Sequence, residues 1–186
     1  MSDEEAITSA GLENGAPGSL QAYILGGIKA KQTATVQKIS VPRFEGRLVV
    51  RYHSLPSREL IRISMVAQKY PDEATATGAE EREVEQAQVE GLIQASVTAL
   101  LESCEGCETT IDGVTHDLGV KLGLGLSEML GEPAGCDGAA NDREAVFLIF
   151  QDEADIVTCA NKLQQFQALA NARSADDMVG NSGAVS

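Results

Sequence analysis

Residues 80–107 read EEREVEQAQVEGLIQASVTALLESCEGC, and the rest of the fold is organised around them. Apolar and small residues recur here at intervals of three and four, which is the period of an α-helix. Two adjacent stripes make a wide apolar face, so we expect a long core helix whose C-terminal part is largely buried. The first stripe holds Val84, Gln88, Gly91, Leu92, Ala95 and Ala99, and the second holds Val89, Ile93, Val97, Leu100 and Cys104.

Both ends of this helix carry sequence signals. Glu80, Glu81 and Glu83 lie in the first turns, where the helix dipole favours negative charge. Gly106 is the kind of residue that commonly follows a helix end, because glycine adopts the left-handed conformation at little cost. The helix is therefore predicted to stop at residues 104–107.

Upstream of the helix, the alternation of residues 33–41 and 48–52 predicts two strands joined by a turn at 44–47. These strands form a small hairpin. Ser54 is the expected cap of the next helix, with Pro56 in its first turn. Pro71 is expected to end that helix, because the residue before a proline disfavours helical backbone.

Downstream of the helix, Asp112-Gly113 lies between two β-branched runs and predicts a second, short hairpin. A leucine at every fourth position from Leu118 to Leu130 predicts a short helix that Gly119 and Gly123 weaken. Asn141 or Asp142 should cap the following helix, which contains residues 145–150. The last helix should start at Asp152 and bury a stripe of Ile156, Ala160, Leu163 and Gln167.

The predicted fold class is therefore α+β, mostly α with a small N-terminal β-hairpin, a helical C-terminal core and disordered termini. Its segments are an acidic disordered tail (1–20), a basic strand–helix unit (21–71), a linker (72–79), a helical core with a short hairpin (80–173) and a disordered tail (174–186). The two tails are small and polar, a composition that does not bury enough apolar surface to fold.

The chain is acidic overall but its charge is uneven. The formal net charge is −14, which argues against general binding to nucleic acid or an anionic membrane. Residues 29–69 nevertheless contain nine basic and two acidic residues, a net charge of +7. This basic segment either packs beside acidic parts of the same chain, which we favour, or forms a face for an acidic partner.

The sequence contains no apolar run that approaches the ~18 residues needed to span a membrane. Its first residues, Met1 to Glu5, lack the basic start and apolar stretch of a signal peptide. We therefore expect a reducing cytoplasm, in which the four cysteines are thiols.

The sharpest local motif is Cys104-x-x-Cys107. A zinc site would need two more ligands, and Cys136, Cys159 and His116 follow at irregular spacing. A thioredoxin-like redox pair would need a preceding strand and a following helix, whereas this motif follows a helix. A small zinc or redox module is kept as an alternative, and no metal ligand is assigned.

No catalytic signature is present in the sequence. His53 and His116, the two histidines, have no nucleophile in a triad order. The glycines at 119, 123 and 125 lack the Lys-Ser/Thr of a phosphate loop. We therefore predict a protein that is not an enzyme, with no catalytic residue, no cofactor and no cofactor-binding residue.

Four pieces of the chain, spanning roughly residues 47–167, together resemble the tail assembly chaperones of long-tailed, siphovirus-type phages that infect actinobacteria. The pieces are Arg51-Tyr52-His53-Ser54-Leu55-Pro56-Ser57-Arg58-Glu59-Leu60; Ala99-Leu100-Leu101-Glu102-Ser103-Cys104-Glu105-Gly106; Asp117-Leu118-Gly119 through Leu126-Ser127-Glu128-Met129-Leu130-Gly131; and Arg143-Glu144-Ala145-Val146-Phe147-Leu148-Ile149-Phe150 with the helix that follows. Such chaperones often close the last helix with Trp, where this chain has Phe166.

The resemblance implies a non-catalytic factor in the cytoplasm of the bacterial host. It would bind the tape measure protein, promote assembly of the tail tube protein, and be absent from the mature virion. The family typically also makes a longer product by programmed frameshifting, and self-association is possible. The expected mechanism is helix-in-groove binding by apolar stripes of the long helix or the last helix. The alternatives are a structural head–tail or tail component of a phage particle, and an unrelated acidic regulatory or scaffold protein.

Overall fold

The computed structural model describes residues 36–180, with side chains described as far as residue 170. Within these residues, five α-helices accompany one four-stranded antiparallel sheet, which confirms the α+β class. The predicted tail 1–20 and the first part of the basic unit, residues 21–35, lie outside the described residues.

The sheet contains both predicted hairpins. Its strands are β1 (Val36–Ser40), β2 (Leu48–His53), β3 (Cys104–Ile111) and β4 (Val114–Asp117), in the order β1-β2-β3-β4. The second hairpin turns at Asp112 and Gly113, whose φ angles of 50° and 78° fit a primed turn. β2 pairs with β3, and this pairing makes one sheet from the two hairpins.

The helices are α1 (Ser57–Ala76), α2 (Glu81–Ser103), α3 (Leu124–Leu130), α4 (Asp142–Phe150) and α5 (Glu153–Gly180). Two short 3-10 turns, Pro42–Phe44 and Glu132–Ala134, lie in the connections. The core lies where α2, α4 and α5 meet the sheet. Its fully buried large side chains include Val50, Tyr52, Leu100, Leu126, Val146, Ile149, Phe150, Ile156 and Leu163.

The long helix is confirmed, and its C-terminal half is buried as predicted. Ile93, Val97 and Leu100 lie in the core. At the other end, the Glu80 N–H donates to the Glu83 carboxylate over 3.1 Å, which caps the first turn. The predicted stripes are wrong at Gln88, Val89 and Leu92, which are exposed.

The predicted stop of this helix at residues 104–107 is confirmed, but the left-handed conformation expected for Gly106 is wrong. α2 ends at Ser103, and β3 begins at Cys104 with no turn between them. Gly106 lies inside the strand opposite Arg51, where a Cβ would overlap the Arg51 guanidinium. The backbone of residues 104–108 is extended because β2 supplies hydrogen-bond partners for it.

Both predicted ends of the preceding helix are also wrong. Ser54 does not cap α1, which begins after Pro56. The helix then continues through Pro71 to Ala76, so residues 72–76 of the predicted linker are helical. A proline inside a helix leaves the carbonyl four residues earlier without its N–H donor. That carbonyl belongs to Ala67, and it lies against Gly91 of α2.

In the C-terminal part of the chain, the structure agrees more closely with the predictions from the sequence. Asn141 caps α4 by accepting the Glu144 N–H over 3.0 Å, and Asp152 accepts the Ala154 N–H over 2.8 Å at the start of α5. The predicted α5 stripe of Ile156, Ala160, Leu163 and Gln167 is buried.

Two boundaries in this part of the chain differ from the prediction. α3 begins at Leu124 rather than near Leu118, because Gly119 and Gly123 have φ angles of 68° and 133°, outside the helical region. α5 runs to Gly180, past the predicted start of the disordered tail at Ser174, because residues 174–179 contain no glycine or proline. Residues 181–186 lie outside the described residues.

Candidate interaction surfaces

A groove runs between the edge strand of the sheet and the last helix, and we call it the β1–α5 groove. Its volume is about 420 Å³. Within the described part of the chain, β1 is an edge strand with β2 as its one partner. The groove is lined by Gln37, Lys38, Ile39 and Ser40 of β1 and by Lys162, Gln165, Phe166 and Leu169 of α5.

The lining of this groove combines apolar and cationic groups. Ile39 is buried at its base, Phe166 is half-buried, and Leu169 is 62% exposed. The Lys38 ammonium is held by Glu108 over 2.6 Å, while Lys162 is exposed. The groove therefore suits an apolar side chain with a carboxylate nearby. No sequence pattern indicated that Phe166 and Leu169 would line a groove.

On the outer face of the sheet, Glu108 is the centre of an ion-pair network. Its side chain is 8% exposed and contacts Lys38 at 2.6 Å and Arg51 at 3.2 Å. Arg51 also contacts Asp117 at 2.8 Å. These contacts support the interpretation that the basic segment packs beside acidic parts of the same chain. Lys29 and Lys31 of that segment lie outside the described residues.

Another basic residue of the segment, Arg43, binds backbone carbonyls instead of an acid. Its guanidinium donates to the Leu148 carbonyl over 2.9 Å and to the Ala134 carbonyl. The same group lies over the Phe44 ring, 5.2 Å from its centre. Arg43 thus ties the first 3-10 turn to the end of α4 and to the loop before it, which is a structural role.

The Cys104-x-x-Cys107 motif is brought together by an irregularity in the sheet. Residues three apart on a regular strand point to opposite faces. Here the register shifts between Arg51 and Tyr52, so that Tyr52 lies opposite Cys104 and Val50 opposite Cys107. The shift is the signature of a β-bulge. Both thiols consequently lie on the core face, buried and free.

Each of these two thiols shifts the pKa of the other. A hydrogen bond from Cys107 and another from the Leu122 N–H lower the pKa of Cys104 to about 7, although burial opposes this. The pKa of Cys107 is raised, first by that same hydrogen bond and then by burial. Burial also raises the pKa of Cys159 to about 11. Cys104 is therefore the more acidic thiol of this pair, inside a closed core.

The zinc alternative gains no support from the described residues, which contain no group of three His, Cys, Asp or Glu side chains arranged to hold a metal ion. His116 lies exposed on β4 opposite Thr109, and His53 ends β2 opposite Val36. The glycine-rich segment 119–125 does not leave the first N–H group of α3 free to bind a phosphate, because Asp142 accepts the Leu124 N–H over 2.8 Å.

A third surface belongs to the hairpin of α1 and α2. α1 packs along α2 and has sparse contacts with the other described elements. Four large apolar side chains of this hairpin are exposed: Ile61, Met65, Val89 and Leu92. Across residues 36–180, no helix is long and apolar enough to cross a membrane.

Comparison with protein-family models, with curated proteins and with solved structures gives no match to this chain. The functional interpretation therefore depends on the geometry of the described surfaces and on the resemblance in the sequence.

Proposed function

We propose that this chain is a non-catalytic tail assembly chaperone, which binds helical segments of a tape measure protein in the β1–α5 groove and promotes assembly of tail tube protein around them. The observation that carries the proposal is the groove itself. It has an apolar base at Ile39, an exposed apolar rim at Leu169 and a cationic group at Lys162. This combination suits an amphipathic helix with an acidic flank, because helix-in-groove binding uses apolar anchors at helical spacing.

A chaperone must hold its client and later release it. The groove is small, so it seats few client side chains, and contacts below the usual interface size are typical of transient association. The net charge of −14 keeps a complex with an apolar client soluble. On this account the protein acts in the host bacterial cytoplasm and leaves before the virion is complete.

The groove is tested by substitutions at its rim. Leu169→Glu places a charge where the client's apolar side chain would lie, and Leu169 is exposed, so the fold should tolerate the change. We expect the full chain carrying Leu169→Glu to co-purify about tenfold less tape measure protein from cells that express both proteins. Met129→Glu on α3, also at an exposed apolar position, is the matched control and should bind normally.

Equal recovery of tape measure protein with Leu169→Glu and with the unaltered chain would exclude the groove as the binding site. Loss of recovery with both variants would point to unspecific apolar contact and would equally contradict the proposal. A structural component of the phage particle is the alternative function, and it differs from the chaperone in remaining in purified particles.

A further inference from the structure

The α1–α2 hairpin carries two exposed stripes that match each other, and within the described residues Lys69 of one stripe also contacts Glu73 of its own helix at 3.8 Å. The α1 stripe consists of Ile61, Met65, Lys69 and Asp72, and the α2 stripe consists of Arg82, Glu85, Val89 and Leu92. All eight side chains are exposed. Each stripe follows helical spacing, with intervals of three or four residues, so its members share one face of their helix.

The two stripes of one chain do not meet each other. α1 turns Ile63 and Ala67 toward α2, since Ile63 is buried and the Ala67 carbonyl contacts Gly91. Ile61 and Met65 each lie two residues from Ile63, which is a rotation of about 200° around the helix axis. The α1 stripe therefore points away from α2 of its own chain.

Placed antiparallel, the two stripes are complementary at every position. Ile61 falls opposite Leu92 and Met65 falls opposite Val89, which joins apolar side chains. Lys69 falls opposite Glu85, and Asp72 falls opposite Arg82, which joins opposite charges. Three of the pairs share one antiparallel register, and the Ile61–Leu92 pair departs from it by one residue.

From this complementarity we propose that the chain self-associates, with the α1 stripe of one copy packed antiparallel on the α2 stripe of a second copy. Val89 lies two residues from Gly91, which faces α1, so the two stripes face opposite sides of the hairpin. One copy cannot make both contacts with the same partner, and the interface is therefore heterologous. The copy at one end of an assembly keeps its α1 stripe free, and the copy at the other end keeps its α2 stripe free. Association therefore continues past the dimer, into a closed ring or an open filament.

The interface is separate from the β1–α5 groove, and the inference does not depend on the proposed function. The test uses the purified full chain alone. In sedimentation velocity over a series of protein concentrations, we expect the mean mass to rise past that of a dimer. Lys69→Glu or Glu85→Lys places like charges opposite each other and should weaken association about tenfold or more.

The combined Lys69→Glu and Glu85→Lys variant restores opposite charges across the interface and should recover association. Glu90→Lys is the matched control. It makes the same charge change on the same helix, on the side away from the α2 stripe, and should leave association unchanged. A chain that stays monomeric at every concentration, or single variants that associate as the unaltered chain does, would overturn the proposal.

Disulfide trapping distinguishes the heterologous register from other arrangements. A mixture of one variant with Met65→Cys and another with Val89→Cys should form a mixed disulfide dimer on oxidation, whereas neither variant alone should do so. The four native thiols are buried and do not compete. Cross-linking of the Met65→Cys variant to itself would indicate a symmetric contact and would contradict the proposed register.

Discussion

Gly91 of α2 lies directly against the backbone carbonyl of Ala67 in α1, so that a Cβ at position 91 would overlap the carbonyl oxygen. The same carbonyl would normally accept the N–H of residue 71, which is a proline and has none. The two features fit together. Pro71 leaves the oxygen free, and Gly91 lets the second helix approach it closely enough for a Cα–H···O contact.

Because of this close approach, Gly91→Ala should force α1 and α2 apart. We expect it to lower the free energy of unfolding by about 1–3 kcal/mol, in the range of overpacked helix contacts. Urea unfolding followed by circular dichroism measures the change.

Gly125→Ala in α3 is the matched control. The nearest atom to its added Cβ would be Val120 Cγ1 at 3.8 Å, an ordinary contact. The substitution should stabilise the chain by about 0.5–1 kcal/mol, because alanine favours helix over glycine. If Gly91→Ala were as stable as Gly125→Ala, the close approach of the two helices would be wrong.

Arg43→Ala should destabilise the chain because it removes the donor to the Leu148 and Ala134 carbonyls. Carbonyls left without a partner in a part-buried site cost about 1–3 kcal/mol. Arg47→Ala is the control. Arg47 lies on the same turn, its side chain is 77% exposed, and its 3.7 Å ion pair with Glu45 is equally exposed. Thermal unfolding should show a change within about 0.5 kcal/mol for Arg47→Ala.

Asp117 should give stability a specific dependence on pH. The Gly119 N–H, which donates to its carboxylate over 2.8 Å, lowers the Asp117 pKa below 3.8, and Arg51 adds to the effect. A pKa lower in the folded chain than in the unfolded chain stabilises the fold above the unfolded value. That contribution disappears as the pH falls through the folded value.

The free energy of unfolding of Asp117→Asn should therefore lie below that of the unaltered chain at neutral pH and converge with it in acid. Urea unfolding at several pH values measures the difference between the two. Asp137→Asn, at an exposed loop position, is the control and should change stability little at any pH. A difference for Asp117→Asn that stayed constant into acid would contradict the assigned contacts.

Removal of metal should have no effect on folding. The thiols of Cys104 and Cys107 are side by side, but the described residues offer them no third ligand. We expect an excess of EDTA to leave the melting temperature unchanged. A zinc module would instead unfold when the metal is removed, because metal binding supplies much of the folding free energy of such domains. A large drop in melting temperature would revive the zinc alternative.

Local patterns predicted those elements whose hydrogen bonds close within a few residues. The hairpin at Asp112-Gly113, the Asn141 cap and the buried stripe of α5 all follow from residues near one another in the sequence. The strand at 104–108 does not, because its extended backbone depends on β2, more than fifty residues earlier. A cysteine and a glycine directly after a helix look locally like a helix cap and turn, not like the start of a strand.

The same limit applies to the interaction surfaces. The β1–α5 groove unites residues about 125 positions apart, such as Lys38 and Lys162, and neither segment has a motif that marks it. The stripes at 61–72 and 82–92 are visible in the sequence as helical spacing. Whether Val89 and Leu92 are buried depends on which face of α2 other elements cover, which is a tertiary property. Periodicity therefore identified the face but not its exposure.

We propose that the protein serves tail assembly and then leaves. Mass spectrometry of cells producing the phage, beside purified phage particles, tests it most directly. We predict this chain in the cells, together with a longer product that shares its N-terminal sequence, and neither product in the particles. Detection of this chain in stoichiometric amount in purified particles would contradict the chaperone proposal and identify a structural component.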